Sequence, residues 1–377
     1  MLEGWQRATL DQIADTVSVR GHQAQTTEYS DRGTWPIIDQ GQTQIVGYTN
    51  AHEPIRQPLP LVLFGDHTRL IKFIEEPFVV GADGVKLLAP KNEKADPRYL
   101  LYFVEAAVRQ IPSLGYSRHF KELKEVVLPL PPLPEQHKIA EILRTWDEAL
   151  EKLTALRAAK DKRLGALRYA MLFGVLRLDD QRRNWAPTRL AAVTHELTTR
   201  NAAKGLGRDY VMGVTKAHGV VPMREQTIAG DISRYKRLPP RAFAYNPMRI
   251  NVGSIAMNER DEEVLVSPDY VVFACNANGL DPDYLDHLRK TSWWAHYINS
   301  GGSGSVRQRT YYDDLAALKL PLPELDEQKA IAAVLNAARD DLAATEREIE
   351  AVTRQKRGLM QKLLTGEWRV NSEKELA

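Results

Sequence analysis

The sequence predicts an α+β protein with two mixed α/β domains. Two long helices join and flank them, paired antiparallel as a coiled coil, and the whole forms a pseudo-twofold internal repeat. Three observations predict this. A segment of about fifty residues recurs at a fixed offset of 192, from Leu128 to Leu320. Each copy contains almost forty residues without a strong helix breaker. The stretches before the copies are each about 130 residues long, an ordinary domain size, and are rich in short apolar runs and turn signals. The boundaries follow as 1–128, 129–183, 184–320 and 321–377.

Composition narrows the class. Of 377 residues, 51 are Lys or Arg and 49 Asp or Glu, so the net charge of +2 favours no partner. Gly and Pro are at average usage, which argues against collagen-like and low-complexity chains. A single cysteine, Cys275, allows neither an internal disulfide nor a cysteine-based zinc site. Apolar runs such as Pro60–Gly65 have strand length, far short of a membrane span, and the N-terminus lacks a signal-peptide core. A cytoplasmic location with no membrane partner is expected.

In the 1–128 domain, Leu59–Phe64 and Phe78–Val80 read as strands. Asp96-Pro97-Arg98-Tyr99-Leu100 reads as the start of an amphipathic helix. The 184–320 domain offers Tyr210–Val214 and Tyr270–Ala274 as strands, with Asp281-Pro282-Asp283-Tyr284-Leu285 as the matching helix start. Trp5…Leu10 is echoed by Trp185…Leu190.

Each repeat then opens on a strand closed by prolines, Leu128-Pro-Leu-Pro and Leu320-Pro-Leu-Pro. Proline donates no ladder hydrogen bond, so the strand stops there. Pro134 suits a first helical turn, and Asp326 at the same place in the second copy favours the positive end of the helix. Gly174 and Gly366 are natural C-terminal stops. Between these limits a heptad seam runs through Leu143, Trp146, Leu150, Leu153, Leu164, Leu167 and Met171. In the second copy it runs through Leu335, Leu342, Ile349, Val352, Leu359 and Leu363. Arg157 and Lys160 interrupt the first seam; they either meet acidic partners that fix register or snorkel to solvent.

Charge is distributed unevenly along the repeat: −2, +3, +3 and −2 over the four segments, with +7 within 200–249. That basic stretch is a candidate phosphate-facing surface, with Arg200, Lys204, Lys216, His218 and Arg224 as backbone-neutralising residues. Before each strand that leads into a long helix lies a polar segment rich in donors suited to base edges and phosphates. Its candidates for base or phosphate contact are Tyr116, Arg118 and His119 in the first domain, and Ser303, Ser305, Arg307, Gln308 and Arg309 in the second.

The segments Leu128-Pro-Leu-Pro-Pro-Leu-Pro-Glu-Gln-His-Lys-Ile-Ala and Leu320-Pro-Leu-Pro-Glu-Leu-Asp-Glu-Gln-Lys-Ala-Ile-Ala resemble the repeated motif of type I restriction–modification specificity subunits. The closing Met360-Gln-Lys-Leu-Leu-Thr-Gly-Glu-Trp-Arg-Val resembles the same family's end. The resemblance implies two target-recognition domains, each reading one half of a bipartite, asymmetric site in double-stranded DNA, with the helix pair setting the gap. It implies two methyltransferase partner subunits and further restriction–translocase subunits. It also implies a non-catalytic chain with no cofactor of its own, S-adenosylmethionine, ATP and Mg²⁺ being expected on the partners. The near-neutral first domain implies weak DNA binding by the chain alone.

An enzyme reading lacks support in the residues. Tyr245-Asn-Pro-Met248 only partly matches an adenine-methyltransferase motif, no P-loop is present, and the nine histidines show no metal-ligand spacing. Two other readings stay open at this level. One is a specificity module of a methyltransferase–nuclease outside type I; the other is a coiled-coil scaffold that does not bind DNA.

Overall fold

A computed structural model describes residues 3–91, 93–112, 117–178, 185–202, 205–300 and 309–370, the side chain of Ser300 excepted. The chain divides into two compact units. The first comprises 1–154 with 347–377, and the second comprises 155–346. Both divisions fall inside the long helices, Leu133–Leu172 and Leu325–Thr365, so each unit holds one domain and half of each helix.

In the first unit, four antiparallel strands lie in the order Ala14–Val17, Val85–Pro90, Leu61–Gly65, Ile71–Ile74. Strand side chains alternate between faces, and the two faces here are both covered. Val62, Phe64 and Leu88 pack with Tyr99, Leu100 and Phe103 of the helix Pro97–Val108. Leu61, Leu63 and Leu87 face the other way, onto Ile38, Phe78 and Val80 of a second layer. That layer is the three-stranded sheet Gly47–Thr49, Trp35–Ile38, Val79–Val80.

The second unit repeats this topology. Thr194–Glu196, Val271–Cys275, Phe243–Tyr245 and Ile255–Met257 form a four-stranded antiparallel sheet in the same first–fourth–second–third order. Phe243, Tyr245, Ile255 and Phe273 face Tyr284 and Leu285 of the helix Pro282–Leu288. Ala244, Ala256 and Val272 face Val214, Val264 and Val266. The second layer differs from that of the first unit. It consists of two antiparallel pairs, the hairpin Met212–Thr215 with Gly219–Pro222, and Lys236–Leu238 with the distant Val264–Val266.

The same capping chemistry starts the domain helices. The Asp96 carboxylate accepts from the backbone N–H of Arg98 and Tyr99, and Asp281 accepts from that of Tyr284, with proline next in each case. The proline-closed strands pair with the start of each domain: Gln6–Ala8 with Leu128–Leu130, and Ala186–Arg189 with Lys319–Leu322. Both long helices stop at a left-handed glycine. Gly174 has φ +70° and Gly366 φ +75°, and the N–H of Leu176 and of Trp368 bonds back six residues to Ala170 and Lys362.

Within each unit the helix halves run antiparallel. In the first, the Lys356 ammonium meets Asp147 while Arg369, beyond the helix end, meets Glu135 near the other's start. In the second, Arg157 bonds Glu346 at 2.9 Å and Lys160 bonds Asp341 at 2.7 Å and the Thr345 hydroxyl at 2.9 Å. The two seam-breaking cations therefore meet acids on the facing helix half. Seam residues Leu143, Leu164, Met171, Leu335 and Leu363 are buried. Trp146, Leu150, Leu153, Leu167, Leu342, Ile349, Val352 and Leu359 are half-buried.

Candidate nucleic-acid interface

The repeated Glu-Gln pair has a structural role that recurs in both units. Gln136 is buried, its amide donating to the carbonyls of Pro131 (2.9 Å) and Lys94 (3.0 Å) and its oxygen accepting from the N–H of Asp96 (3.0 Å). Gln328 does the same with Pro323 (2.9 Å), Gly279 (3.1 Å) and Asp281 (2.8 Å). Each glutamine thereby locks the start of a long helix to the N-cap of the domain helix. The neighbouring glutamates complete a clasp. Glu135 accepts from the Trp5 indole at 2.9 Å and from Arg369 at 2.8 and 3.0 Å. Glu327 accepts from the Trp185 indole at 3.1 Å and from Arg177 at 2.6 and 2.9 Å. These groups hold the frame and lie away from the loops that differ between the units.

In the first unit the loops converge on Asp66, buried in the turn after Leu61–Gly65. Its carboxylate accepts from the backbone N–H of His119 (2.9 Å) and Phe120 (2.8 Å). Gln40 ties in two further loops, accepting from His67 N–H (3.2 Å) and donating to the Asp83 carbonyl (2.6 Å). This threading needs glycine on both sides. A Cβ at Gly65 would lie 2.8 Å from that of Gln40, and one at Gly84, where φ is +89°, 2.4 Å from the Gln40 amide nitrogen. Around this knot Arg118, Thr68 and Asp83 are exposed and His67 half-buried.

His119 was expected at the reading surface, and here the structure corrects the expectation. It is 1% exposed, with its Nδ1 3.1 Å from the Asp66 carbonyl, an arrangement that fixes the tautomer and holds the ring inside the unit. It positions the segment that presents Arg118. Tyr116 lies outside the described residues, as do Lys204, Ser303, Ser305, Arg307 and Gln308. Arg309 is exposed, with its guanidinium 3.3 Å from the Tyr311 hydroxyl.

In the second unit the +7 stretch is partly neutralised by acids from outside it or across a turn. Arg208 bonds Glu225 at 2.8 Å, Arg237 bonds Glu263 at 2.8 Å, and Arg241 bonds Asp283 through both nitrogens at 3.0 and 2.8 Å. Lys236 lies 3.8 Å from Glu196. Arg200, Lys216, Arg224 and Arg249 are exposed and form no ion pair with a described acid. Arg200 donates to the Arg234 carbonyl at 2.8 Å. Lys216 and His218 sit at the turn of the hairpin Met212–Thr215/Gly219–Pro222, on the wall of a cleft of about 730 Å³. Arg260, Arg289, Lys290 and Arg339 also line it, and sequence reasoning missed all four because they lie far apart in the chain. Arg118, Gln40 and His67 gather in one unit, and Lys216 with His218 in the other.

Among the described residues no group of three or more His, Cys, Asp or Glu is placed to hold a metal ion, and no helix is long and apolar enough to cross a membrane. Burial pushes the Cys275 thiol up to about 12, which suits a packed side chain and not a nucleophile.

Comparison with known proteins supplies what the geometry leaves open. Residues 2–159 match the family model of the type I restriction modification DNA specificity domain. Over most of its length the chain is similar to type I restriction enzyme specificity subunits. It is 24% identical over 333 residues to the MjaX specificity subunit of Methanocaldococcus jannaschii, covering 78% of this chain and 73% of the relative. Against the MjaVIII specificity subunit of the same organism it is 23% identical over 338 residues, covering 80% and 76%. Among solved structures, the type I system S subunit from M. genitalium matches with a TM-score of 0.63 over 96% of both chains, at 14% identity. At that identity the likeness establishes a shared fold.

Proposed function

We propose that this chain reads DNA in a type I restriction–modification complex, each mixed domain recognising one half of a bipartite, asymmetric site. The observation behind this reading is a pair of four-stranded frames with the same topology and the same Gln and Glu–Trp–Arg locks, but with different second layers and loops. A duplicated frame with diverged loops suits two unlike half-sites. The helix pair would set their separation, and the chain would dock two adenine methyltransferase subunits and, beyond them, restriction–translocase subunits. S-adenosylmethionine, ATP and Mg²⁺ would belong to those partners, and a cytoplasmic location follows from the role. The chain itself contributes recognition and no chemistry.

The test is an exchange of residues 1–128 for the corresponding domain of another specificity subunit, with methylated adenines then sequenced in a host that also carries the partner subunits. One half-site should change while the other half and the spacing stay. An unchanged methylation pattern would refute the two-reader assignment. Inserting one heptad into each long helix should lengthen the gap and preserve both halves.

A further inference from the structure

A cleft of the second unit lies outside the shared locks, and its walls come from four separate segments: 215–220, 250–260, 289–298 and Arg339. Its floor is apolar: Ile250, Met257 and Trp294 are each 4% exposed or less. The Trp294 indole N–H has no hydrogen-bond partner among the described residues. Its rim is cationic. Lys216 and Arg260 are exposed, the second 3.9 Å from Glu262. Arg289 and Lys290 share one buried carboxylate, Asp286, each at 2.5 Å, so two fixed cations answer a single anion. Arg339 lies 3.8 Å from Glu259, the one acid on the cleft wall among the described residues, and pairs with Asp340 at 3.1 Å. Holding several cations this close costs Coulomb energy that an anionic occupant would relieve.

We propose that this cleft binds a nucleoside phosphate unit, with the phosphate at the Lys216–Arg260–Lys290 rim and the sugar and base against the apolar floor around Trp294. Its volume of about 730 Å³ falls in the range of small-ligand sites, far beyond what a lone phosphate needs. The unit can be part of a bound DNA strand or a free nucleotide; the chemistry is shared and the source is separable. The DNA form rests on the function proposed above. An acidic segment of a partner protein would satisfy the rim but has no particular use for an apolar floor beside it.

The test uses the full chain at low salt, with a labelled random-sequence duplex and ATP as separate probes. The variant is Lys216→Glu with Arg260→Glu, two exposed positions whose change should leave the thermal transition in place. If the strand is the occupant, duplex affinity should fall about tenfold or more and the log–log salt slope should drop by about two, at 0.9 per lost phosphate contact. ATP should then compete poorly. If a free nucleotide is the occupant, wild type should bind ATP and the variant should not, whatever the duplex does. Wild type that binds ATP in the cleft and never binds the duplex, even with partners, would remove the DNA-reading function while leaving the cleft assigned. Variants of unchanged thermal transition that bind both probes like wild type would overturn the cleft and leave the DNA reading intact. A variant that loses its methyltransferase partners but keeps duplex affinity and slope would also overturn it, marking a protein contact.

Discussion

The two units share their frame and differ in their loops, and the difference lies in how each unit uses charge. In the first, a buried carboxylate and a threaded glutamine fix the loops from inside: Asp66 holds His119 and Phe120, and Gln40 joins three loop segments. In the second, the counterpart region displays cations, some neutralised in pairs and some left around a cleft. Duplication preserved what positions the domain on the helices and released what faces outward. Identical locks under different surfaces fit the proposed reading of two unlike half-sites.

The sharpest way to break the comparison is to remove the shared lock. Gln136→Ala and Gln328→Ala each strip three hydrogen bonds from buried or half-buried backbone, about 3–9 kcal/mol locally at 1–3 kcal/mol per group left unpaired. Hydrogen exchange at the long-helix starts should show equal losses, each confined to its own unit; a large effect in one alone would mean the repeat is only topological.

A smaller effect separates the units by pH. His287, in the second unit, lies between Arg168, Asn336, Asp286 and Lys290, and burial lowers its pKa to about 4. The unfolded chain binds that proton near pH 6.5, so between those values the unfolded state takes up more protons. Stability of the second unit should therefore be full above pH 6.5 and fall as pH drops toward 4, by up to roughly 3 kcal/mol. Denaturant melts across this window should show the loss, and His287→Gln should flatten it.

Asp66→Ala makes the opposite distinction. It unpairs the Phe120 N–H and leaves the His119 N–H on the Asp66 backbone carbonyl alone, a cost of about 1–2 kcal/mol, and should loosen exchange at 119–125 in the first unit only. Least of all should come from Lys160→Ala. A partly exposed pair is worth under about 1 kcal/mol, so the melt should barely move.

Much of the frame was legible because its signals are local. Gly174 and Gly366 end helices, Asp-Pro pairs start them, and apolar runs such as Leu59–Phe64 become central strands. The surface was less legible because its partners are distant. His119 reads as an exposed donor until Asp66, 53 residues earlier, is placed against it. The excess of 200–249 shrinks because Glu263 and Asp283 fold back onto Arg237 and Arg241. The clasp arginines did carry a signal, since Arg177 and Arg369 keep the same 192-residue offset as Glu135 and Glu327. Their tryptophans do not: Trp5 and Trp185 are 180 apart, because the domains between the landmarks differ in length.

Arg369 lies three residues beyond Gly366, yet it satisfies a carboxylate near the start of the other long helix and packs 5.7 Å over Trp5. A frameshift or stop codon just past Gly366 would spare every helical residue and still leave Glu135 a buried charge with the Trp5 indole but without its cation. Screening of truncated or C-terminally tagged versions should therefore watch the N-terminal domain, where the damage of a lost tail would be felt.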